Sequence, residues 1–265
     1  MKRITIITVN YNNLDGLRKT IKSVKSQSYP AIEYIVIDGG STDGSKTYLE
    51  EQQGSFSYWI SEKDNGIYDG MNKGLMHATG DYVLFLNSGD YLKNSKALIK
   101  VMQSINADPD LIICRQAFIN PQGKLSRSPI LRQKHIRPGF FISSTFPHQA
   151  TLIKRSLFEY HGGYDLRFKV SADWVFWVKA ILEYKCSYTL VNHCLSVMEQ
   201  GGISNDMTKC HADMKIFLNE CMAKRLIQWE DIFEQAMRSR ALDFCEVHSW
   251  SRFLNKVSIW LGKYY

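Results

Sequence analysis

Four short apolar runs punctuate the first ninety residues, and each ends in a polar tip. They are Ile4-Thr5-Ile6-Ile7-Thr8-Val9, Tyr34-Ile35-Val36-Ile37, Tyr58-Trp59-Ile60 and Val83-Leu84-Phe85-Leu86. Apolar residues in unbroken succession over this length read as strands buried on both faces. Between them lie segments with helical spacing. Asn12 to about Gln27 places Leu14, Leu17, Ile21 and Val24 on one face, with Asn13 or Asp15 near its start; Ser45–Gln53 and Tyr68–His77 repeat the pattern, the latter ended by Gly80. Strand and helix alternating in this way predict an α/β fold with a parallel sheet and helices on its faces. Ligands of such sheets bind just beyond the carboxyl ends of the strands. The tips are therefore where chemistry is expected: Asp38 after the second strand, Glu62 and Asp64 after the third, and Asn87-Ser88-Gly89-Asp90 after the fourth. The last of these is ordinary turn chemistry. It is equally a place where one carboxylate, Asp90, suits a hard divalent cation that also holds a diphosphate.

Composition narrows the class without choosing a function. The 265 residues are 45% hydrophobic and 22% charged, which excludes wholesale disorder and predicts a sizeable core. A formal net charge of +7 favours anionic partners such as a nucleotide or a phospholipid surface. Nucleic acid is favoured by charge alone, and no recognised nucleic-acid-binding motif supports it. Cys114, Cys186, Cys194, Cys210, Cys221 and Cys245 show no C-x-x-C spacing, so they read as free thiols of a cytoplasmic protein. Met1-Lys2-Arg3 runs straight into the first strand rather than into a signal sequence. No stretch of about 20 apolar residues is present to span a membrane.

Beyond Leu92 the pattern loosens. A helix is expected near 95–105, a strand over 111–114, a basic turn-rich stretch over 119–139, a strand over 149–153 and a helical turn over 156–160. A helix entered at Asp173 follows over 174–182, then a flexible loop at Gly201-Gly202, then helix from about 207 to the end. Within 249–264, Trp250, Phe253, Leu254, Val257, Leu261 and Tyr264 share one helical face, with Arg252, Lys256 and Lys263 towards the other. That pattern suits a helix lying in a membrane interface, packing on the domain, or contacting a second copy.

Six segments, in order, resemble the family 2 glycosyltransferases. They are Thr8-Val9-Asn10-Tyr11-Asn12, Ile37-Asp38-Gly39-Gly40-Ser41-Thr42-Asp43-Gly44, Ser61 through Gly74, Phe85 through Asp90, Pro147-His148-Gln149, and Ser171-Ala172-Asp173-Trp174. The resemblance covers roughly residues 3–205. It implies the GT-A fold, a Rossmann-like, mostly parallel sheet with flanking helices, plus an acceptor-side subregion and a helical C-terminal tail. The corresponding division is a domain over 1–205, with a nucleotide-sugar half (1–105) and an acceptor half (106–205), followed by an extension over 206–265.

The same resemblance implies roles. Thr8, Tyr11 and Asp38 would hold the base and ribose of the nucleotide, a carboxylate being a suitable acceptor for uracil N–H and ribose hydroxyls. Asp64, Asn72 and Ser88 would line the same pocket. Asp90 would bind Mg²⁺ or Mn²⁺ on the donor diphosphate. Asn87 and Gly89 stand where carboxylates are often found in the family, so Asp90 is the main ligand from the protein. Asp173 would be the general base that takes the acceptor's proton in a single inverting displacement. Family members often carry Glu just before it; here that residue is Ala172. His148 would contact the acceptor or the metal, or be a hydrogen-bonded structural histidine. Trp174 and Trp177 fit a core, and less often a sugar platform.

The expected activity is thus transfer from a UDP-sugar to a hydroxyl of a polyprenyl-diphosphate-linked glycan in bacterial surface polysaccharide synthesis, O-antigen type. The work would be done in the cytoplasm or peripherally on the cytoplasmic face of the inner membrane, with self-association neither demanded nor excluded. A non-enzymatic sugar- or nucleotide-binding protein on the same fold is the alternative from another class. A dinucleotide-dependent oxidoreductase would need G-x-G-x-x-G after the first strand, where this chain has Asn10-Tyr11-Asn12-Asn13.

Overall fold

The computed structural model describes residues 1–120, 122–128, 136, 140–199 and 207–223. The expected alternation opens the chain: β1 (Ile4–Asn10), α1 (Leu14–Lys25), β2 (Ile32–Asp38), α2 (Ser45–Glu51), β3 (Tyr58–Ser61), α3 (Ile67–Met76) and β4 (Tyr82–Phe85). There follow β5 (Tyr91–Leu92), α4 (Ala97–Gln103), β6 (Leu111–Ile119), β7 (Leu125–Arg127), α5 (Phe140–Ser143), β8 (Thr151–Lys154), α6 (Arg155–His161), α7 (Ala172–Val178), β9 (Tyr188–Glu199) and α8 (Met207–Ala223).

The strands form one sheet in the order β3-β2-β1-β4-β8-β6-β9-β5, with β7 paired to β6. The first four run parallel. From β8 onward the sheet is mixed: β8 is antiparallel to β4 and β6, β9 is parallel to β6, and β5 is antiparallel to β9. Three of these strands were not expected. β5 is two residues long, β7 is a short exposed hairpin arm, and β9 interrupts its apolar pattern with Asn192 and His193. The helix expected over 174–182 is α7 followed by a π-helical turn over Lys179–Glu183, and Asp173 lies in its first turn, with Ser171 at the cap position.

Every residue of β1 is buried. Its odd-numbered apolar members, Ile7 and Val9, face one core with Ile35, Ile37, Met71 and Phe85. Ile4 and Ile6 face the other, with Leu17, Ile21, Val36 and Leu84. This two-sided burial accounts for the uninterrupted apolar runs.

Helix α3 lies unusually close to β1. A Cβ on Gly74 would sit 2.5 Å from Ile7 Cγ2, and one on Gly70 would sit 2.8 Å from Val9 Cγ1. The two glycines, one turn apart, let the helix settle on the strand and set the position of Tyr68 at its start.

Helix α8 closes against the opposite half. Phe217 meets Phe168 and Trp174 edge-on, and Asp213 accepts from the backbone N–H groups of Val170 (3.0 Å) and Ser171 (3.2 Å). No described helix is long and apolar enough to cross a membrane. The expected loop at Gly201-Gly202 and the amphipathic segment at 249–264 lie outside the described residues.

Gly74→Ala tests the close approach. Alanine gains about 1 kcal/mol in helix propensity, but overpacking against a buried β-branched residue costs roughly 1–3 kcal/mol. Thermal melting is expected to fall; an unchanged or raised Tm would show that α3 has room to move.

Candidate active site

The strand order turns back between β1 and β4, because β2 and β3 extend to one side of β1 and β4 begins the other. A parallel sheet opens a crevice at such a switch point. The loops following β1 and β4 meet there. Ser88 donates its backbone N–H to the Val9 carbonyl (3.0 Å), and the Asn13 amide donates to the Ser88 carbonyl (3.1 Å). Thr20 of α1 supports the second loop from below, its hydroxyl donating to the Asp90 carbonyl (2.6 Å) and accepting from Gly89 N–H (3.0 Å).

Along the β1–β2–β3 edge, Asn10, Asp38 and Ser61 stand in register. Asp38 is fully buried, and four donors fill its carboxylate: the Asn10 amide (2.7 Å) and Ser41 hydroxyl (2.5 Å) on one oxygen, the Ser41 N–H (2.9 Å) and Ser61 hydroxyl (2.6 Å) on the other. It ties three strand ends together and reaches a ligand only by exchanging one of those donors. Tyr11, next to this row, is 65% exposed and free of the core. Asp64 lies over Gly39, where a Cβ would come within 2.7 Å of its Oδ2, and accepts from Gly66 N–H at 3.0 Å. Glu62 pairs with Lys73 at the exposed rim.

Two of the expected nucleotide contacts have structural partners of their own. Thr8 is fully buried within β1 and its hydroxyl pairs with Tyr34 (3.1 Å). Asn72 spends both ends of its amide on the backbone of Tyr164, donating to the carbonyl and accepting from the N–H, each at 2.8 Å. It clamps α3 to the Gly163–Tyr164 segment, which gives it a structural role. Trp174 and Trp177 are core residues, the Trp174 indole donating to the Phe141 carbonyl (2.8 Å).

The remaining polar residues form one chain. Tyr68 donates its hydroxyl to Asp173 Oδ1 (2.7 Å), His148 Nδ1 faces Asp173 Oδ2 (3.0 Å), and His148 Nε2 faces the Asn87 amide nitrogen (3.1 Å). A carboxylate beside Nδ1 and an amide N–H beside Nε2 fit the tautomer with its hydrogen on Nδ1. Burial, the largest influence on Asp173, pushes its carboxyl up, but the hydrogen bond from His148, with those of Tyr68 and the Trp174 N–H, holds it below its ordinary value. It is therefore a half-buried carboxylate kept ionised by fixed donors. Asp173 and His148 border a cavity of about 380 Å³ that runs towards β6 and β9.

Asp90 is the opposite case. Burial pushes its carboxyl up to about 7; nearby His148 and a hydrogen bond from Gln149 oppose this, and Glu199 reinforces it. Among the described residues no group of three or more His, Cys, Asp or Glu side chains converges as a metal cage. The β4 tip instead offers the Asp90 carboxylate and a buried Asn87 Oδ1 that has no hydrogen-bond partner. One carboxylate plus an orphan carbonyl oxygen fits an ion that takes its other ligands from phosphates and water.

Sequence reading missed three participants: Tyr68, Asn87 as the partner of His148, and Gln149 as the partner of Asp90. Tyr68 and Gln149 lie inside motifs that were recognised as blocks, where no local signal separates a site residue from a packing one.

A family model described as glycosyl transferase family 2 matches residues 5–169. The chain belongs to that family. An uncharacterised glycosyltransferase of Mycobacterium tuberculosis H37Rv is 36% identical over 180 residues, covering 68% of this chain and 69% of that protein. A PGL/p-HBAD biosynthesis glycosyltransferase of Mycobacterium bovis BCG is 27% identical over 267 residues, covering 94% of this chain and 97% of the relative. Among solved structures, residues 1–349 of S. aureus TarS in complex with UDP-GlcNAc superpose with a TM-score of 0.69 at 14% identity, covering 92% of this glycosyltransferase and 76% of that chain. Against a longer TarS chain the overlap is 40% of its length. The shared architecture is the GT-A fold.

Two measurements check the site. Asn72→Ala leaves the Tyr164 N–H and carbonyl without partners, so Tm is expected to fall while UDP affinity, read by calorimetry, stays within about twofold; weakened UDP binding at unchanged Tm would restore Asn72 to the nucleotide pocket. For Asp90, a raised native pKa means that between pH about 4 and about 7 the folded chain holds a proton the unfolded chain has released. Stability is thus lost as pH rises through that window. In chelator, Asp90→Asn is expected to melt above wild type at pH 8, with the gap closing towards pH 4. A gap independent of pH would contradict the burial argument.

Proposed function

We propose that this glycosyltransferase moves a sugar from a UDP-sugar to a hydroxyl of a glycan acceptor with inversion at the anomeric carbon, Asp173 being the base. The observation that carries the reading is the hydrogen-bonded chain Tyr68–Asp173–His148–Asn87, which links an ionised carboxylate through His148 to the β4 tip. Both oxygens of this carboxylate are anchored, and the residue borders the cavity beside β6 and β9. It can accept the proton of an acceptor hydroxyl as that oxygen attacks, with little reorganisation.

Exposed Tyr11 offers a face on which a base can stack, and Asp38, held between Asn10, Ser41 and Ser61, can receive a uracil N–H by exchange with the Ser41 hydroxyl. Asp64 and Ser88 border the same crevice. Asp90 would hold Mg²⁺ or Mn²⁺, with Asn87 Oδ1 at the same β4 tip as a second candidate ligand. A bound ion would offset the charge gathering on the departing UDP. A GT-A mannosyltransferase from Pyrobaculum calidifontis, with a TM-score of 0.59, has been solved with GDP-Man and Mn²⁺.

The UDP specificity rests on the TarS complexes with UDP and UDP-GlcNAc. Surface-glycan synthesis rests on the mycobacterial relative and on a putative teichuronic acid biosynthesis glycosyltransferase, TuaG, of Bacillus subtilis, 35% identical over 96 residues. A polyprenyl-diphosphate-linked acceptor would place the work at the cytoplasmic membrane face, where the net charge of +7 favours anionic lipid.

Asp173→Asn is the test. Transfer from UDP-GlcNAc, or whichever UDP-sugar a panel identifies, should fall by at least 10³-fold while UDP affinity is retained, because the amide cannot take a proton. Turnover within tenfold of wild type removes Asp173 from the role.

A further inference from the structure

Strand β6 outruns the sheet that holds it. β8 pairs with it only over Leu111–Ile113. Beyond that point one edge of β6 is taken by β7, Ala117 to Ile119 facing Arg127 to Leu125, while β9 continues along the other edge as far as Glu199. Among the described residues no strand pairs with the outer edge of β7. All three residues of β7 are exposed, and so is Lys124 before them. Leu125 is 46% exposed. Strand positions two apart face the same way, so Leu125 and Arg127 share one side of this arm.

Cations gather along it. Cys194 of β9 stands opposite Arg115 in register, and Lys93 donates its backbone N–H to the carbonyl of the next residue, Leu195 (2.9 Å). Burial pushes the Cys194 thiol up, while the charges of Lys93, Arg127 and Arg115 pull it down, so all three act on one sulfur. The Arg115 guanidinium is spent on neutral acceptors, the Ser128 carbonyl (3.0 Å from Nε, 2.8 Å from Nη2) and Asn192 Oδ1 (3.4 Å). No acidic residue occurs from Leu111 to Ser128, and the one acid of β9, Glu199, is paired with Lys19 of α1. The charge of Lys93, Arg115, Lys124 and Arg127 is thus unopposed by any carboxylate of the three strands they sit on or beside.

An edge strand needs some charge to discourage pairing with other chains, and Lys124 and Arg127 meet that need. It explains neither the exposed leucine between them nor the absence of acids along β6 and β7. A surface of one charge sign with an apolar tip suits an anionic bilayer: the cations settle at lipid phosphates, each adding about fivefold to partitioning, and the leucine enters the interface. A soluble polyanion would match the charge and leave the leucine unused.

We propose that the β6–β7 hairpin, with Lys93 and Arg115 beside it, is a docking surface for an anionic phospholipid bilayer. It supplies the contact that the membrane-face reading above requires, and it rests on that reading for its purpose. Arg115, Ser128 and Asn192 also line the cavity bordered by Asp173, so a hairpin resting on lipid brings one wall of that cavity to the headgroups.

The test is co-sedimentation of the full chain with vesicles of phosphatidylglycerol and phosphatidylcholine, against phosphatidylcholine alone. Wild type is expected on the anionic vesicles only. Lys124→Glu/Arg127→Glu should bind them at least about 20-fold more weakly, with Lys124→Gln/Arg127→Gln in between. Lys22→Glu/Lys46→Glu, an equal charge change at exposed positions elsewhere, should stay within about threefold of wild type. Tm and UDP affinity should be unchanged in all of them. Equal loss in the hairpin and control pairs would reduce the effect to net charge and overturn the proposal. Full binding by both hairpin pairs would place the contact elsewhere, and release by excess inorganic diphosphate at constant ionic strength would make the surface a soluble-anion site; either outcome also overturns it. Wild type that binds UDP but no anionic vesicle sinks this inference alone, whereas failure to bind UDP sinks the donor reading.

Discussion

The structure depends on one constraint: β1 is buried on both faces and flanked on both edges. With a core above it, a core below it, β2 on one side and β4 on the other, no functional group can act along its length. Polar chemistry is displaced to the carboxyl ends of the strands. There the same burial makes each carboxylate a problem to be solved by donors. Asp38 is solved completely, with four hydrogen bonds. Asp173 is solved by Tyr68, His148 and a backbone N–H, and stays ionised. Asp90 is left unsolved, its carboxyl pushed up to about 7. The three carboxylates thus form a series from saturated to needy, and the needy one stands where a cation has most to gain.

This series was only half legible in the sequence. The strand–helix alternation through β4 could be read because those strands are apolar without interruption and each is followed by a helix with clean spacing. The second half resisted, for physical reasons. β9 runs twelve residues but slips register around Asn192 and His193, so its alternation fails in the place where the cavity forms. β5 is too short to carry any pattern. Residue type also misled where partners lie far along the chain. Asn72 reads as a polar residue poised near a pocket, and only its bonds to Tyr164, ninety-two positions away, reveal a clamp. Thr8 sits in a recognisable motif, but alternation along β1 turns it towards Tyr34 and into a core. Asp173 stood out only through the resemblance of Ser171-Ala172-Asp173-Trp174 to a family segment, and its anchoring by Tyr68 and His148 left no trace in the sequence.

His148 gains its meaning from this geography. It was a residue with two readings, ligand or structure, and it lies between Asp173 and the β4 tip, touching Asp173 with one nitrogen and Asn87 with the other. The substitution pattern at the tip fits that placement. An asparagine at 87 supplies an N–H to the imidazole, which a carboxylate there would not, and its carbonyl oxygen is turned into an otherwise unpartnered position.

Helix α8 has a further consequence for where the enzyme ends. The family model closes at residue 169, and Asp173 lies just past that limit. The two backbone N–H groups leading into Asp173, those of Val170 and Ser171, are held by Asp213, far outside it. The packed unit around Asp173 is therefore larger than its family signature. Helix α8 buttresses the segment that carries Asp173, and the packing around that carboxylate runs at least through the turn of α8 that holds Asp213 and Phe217.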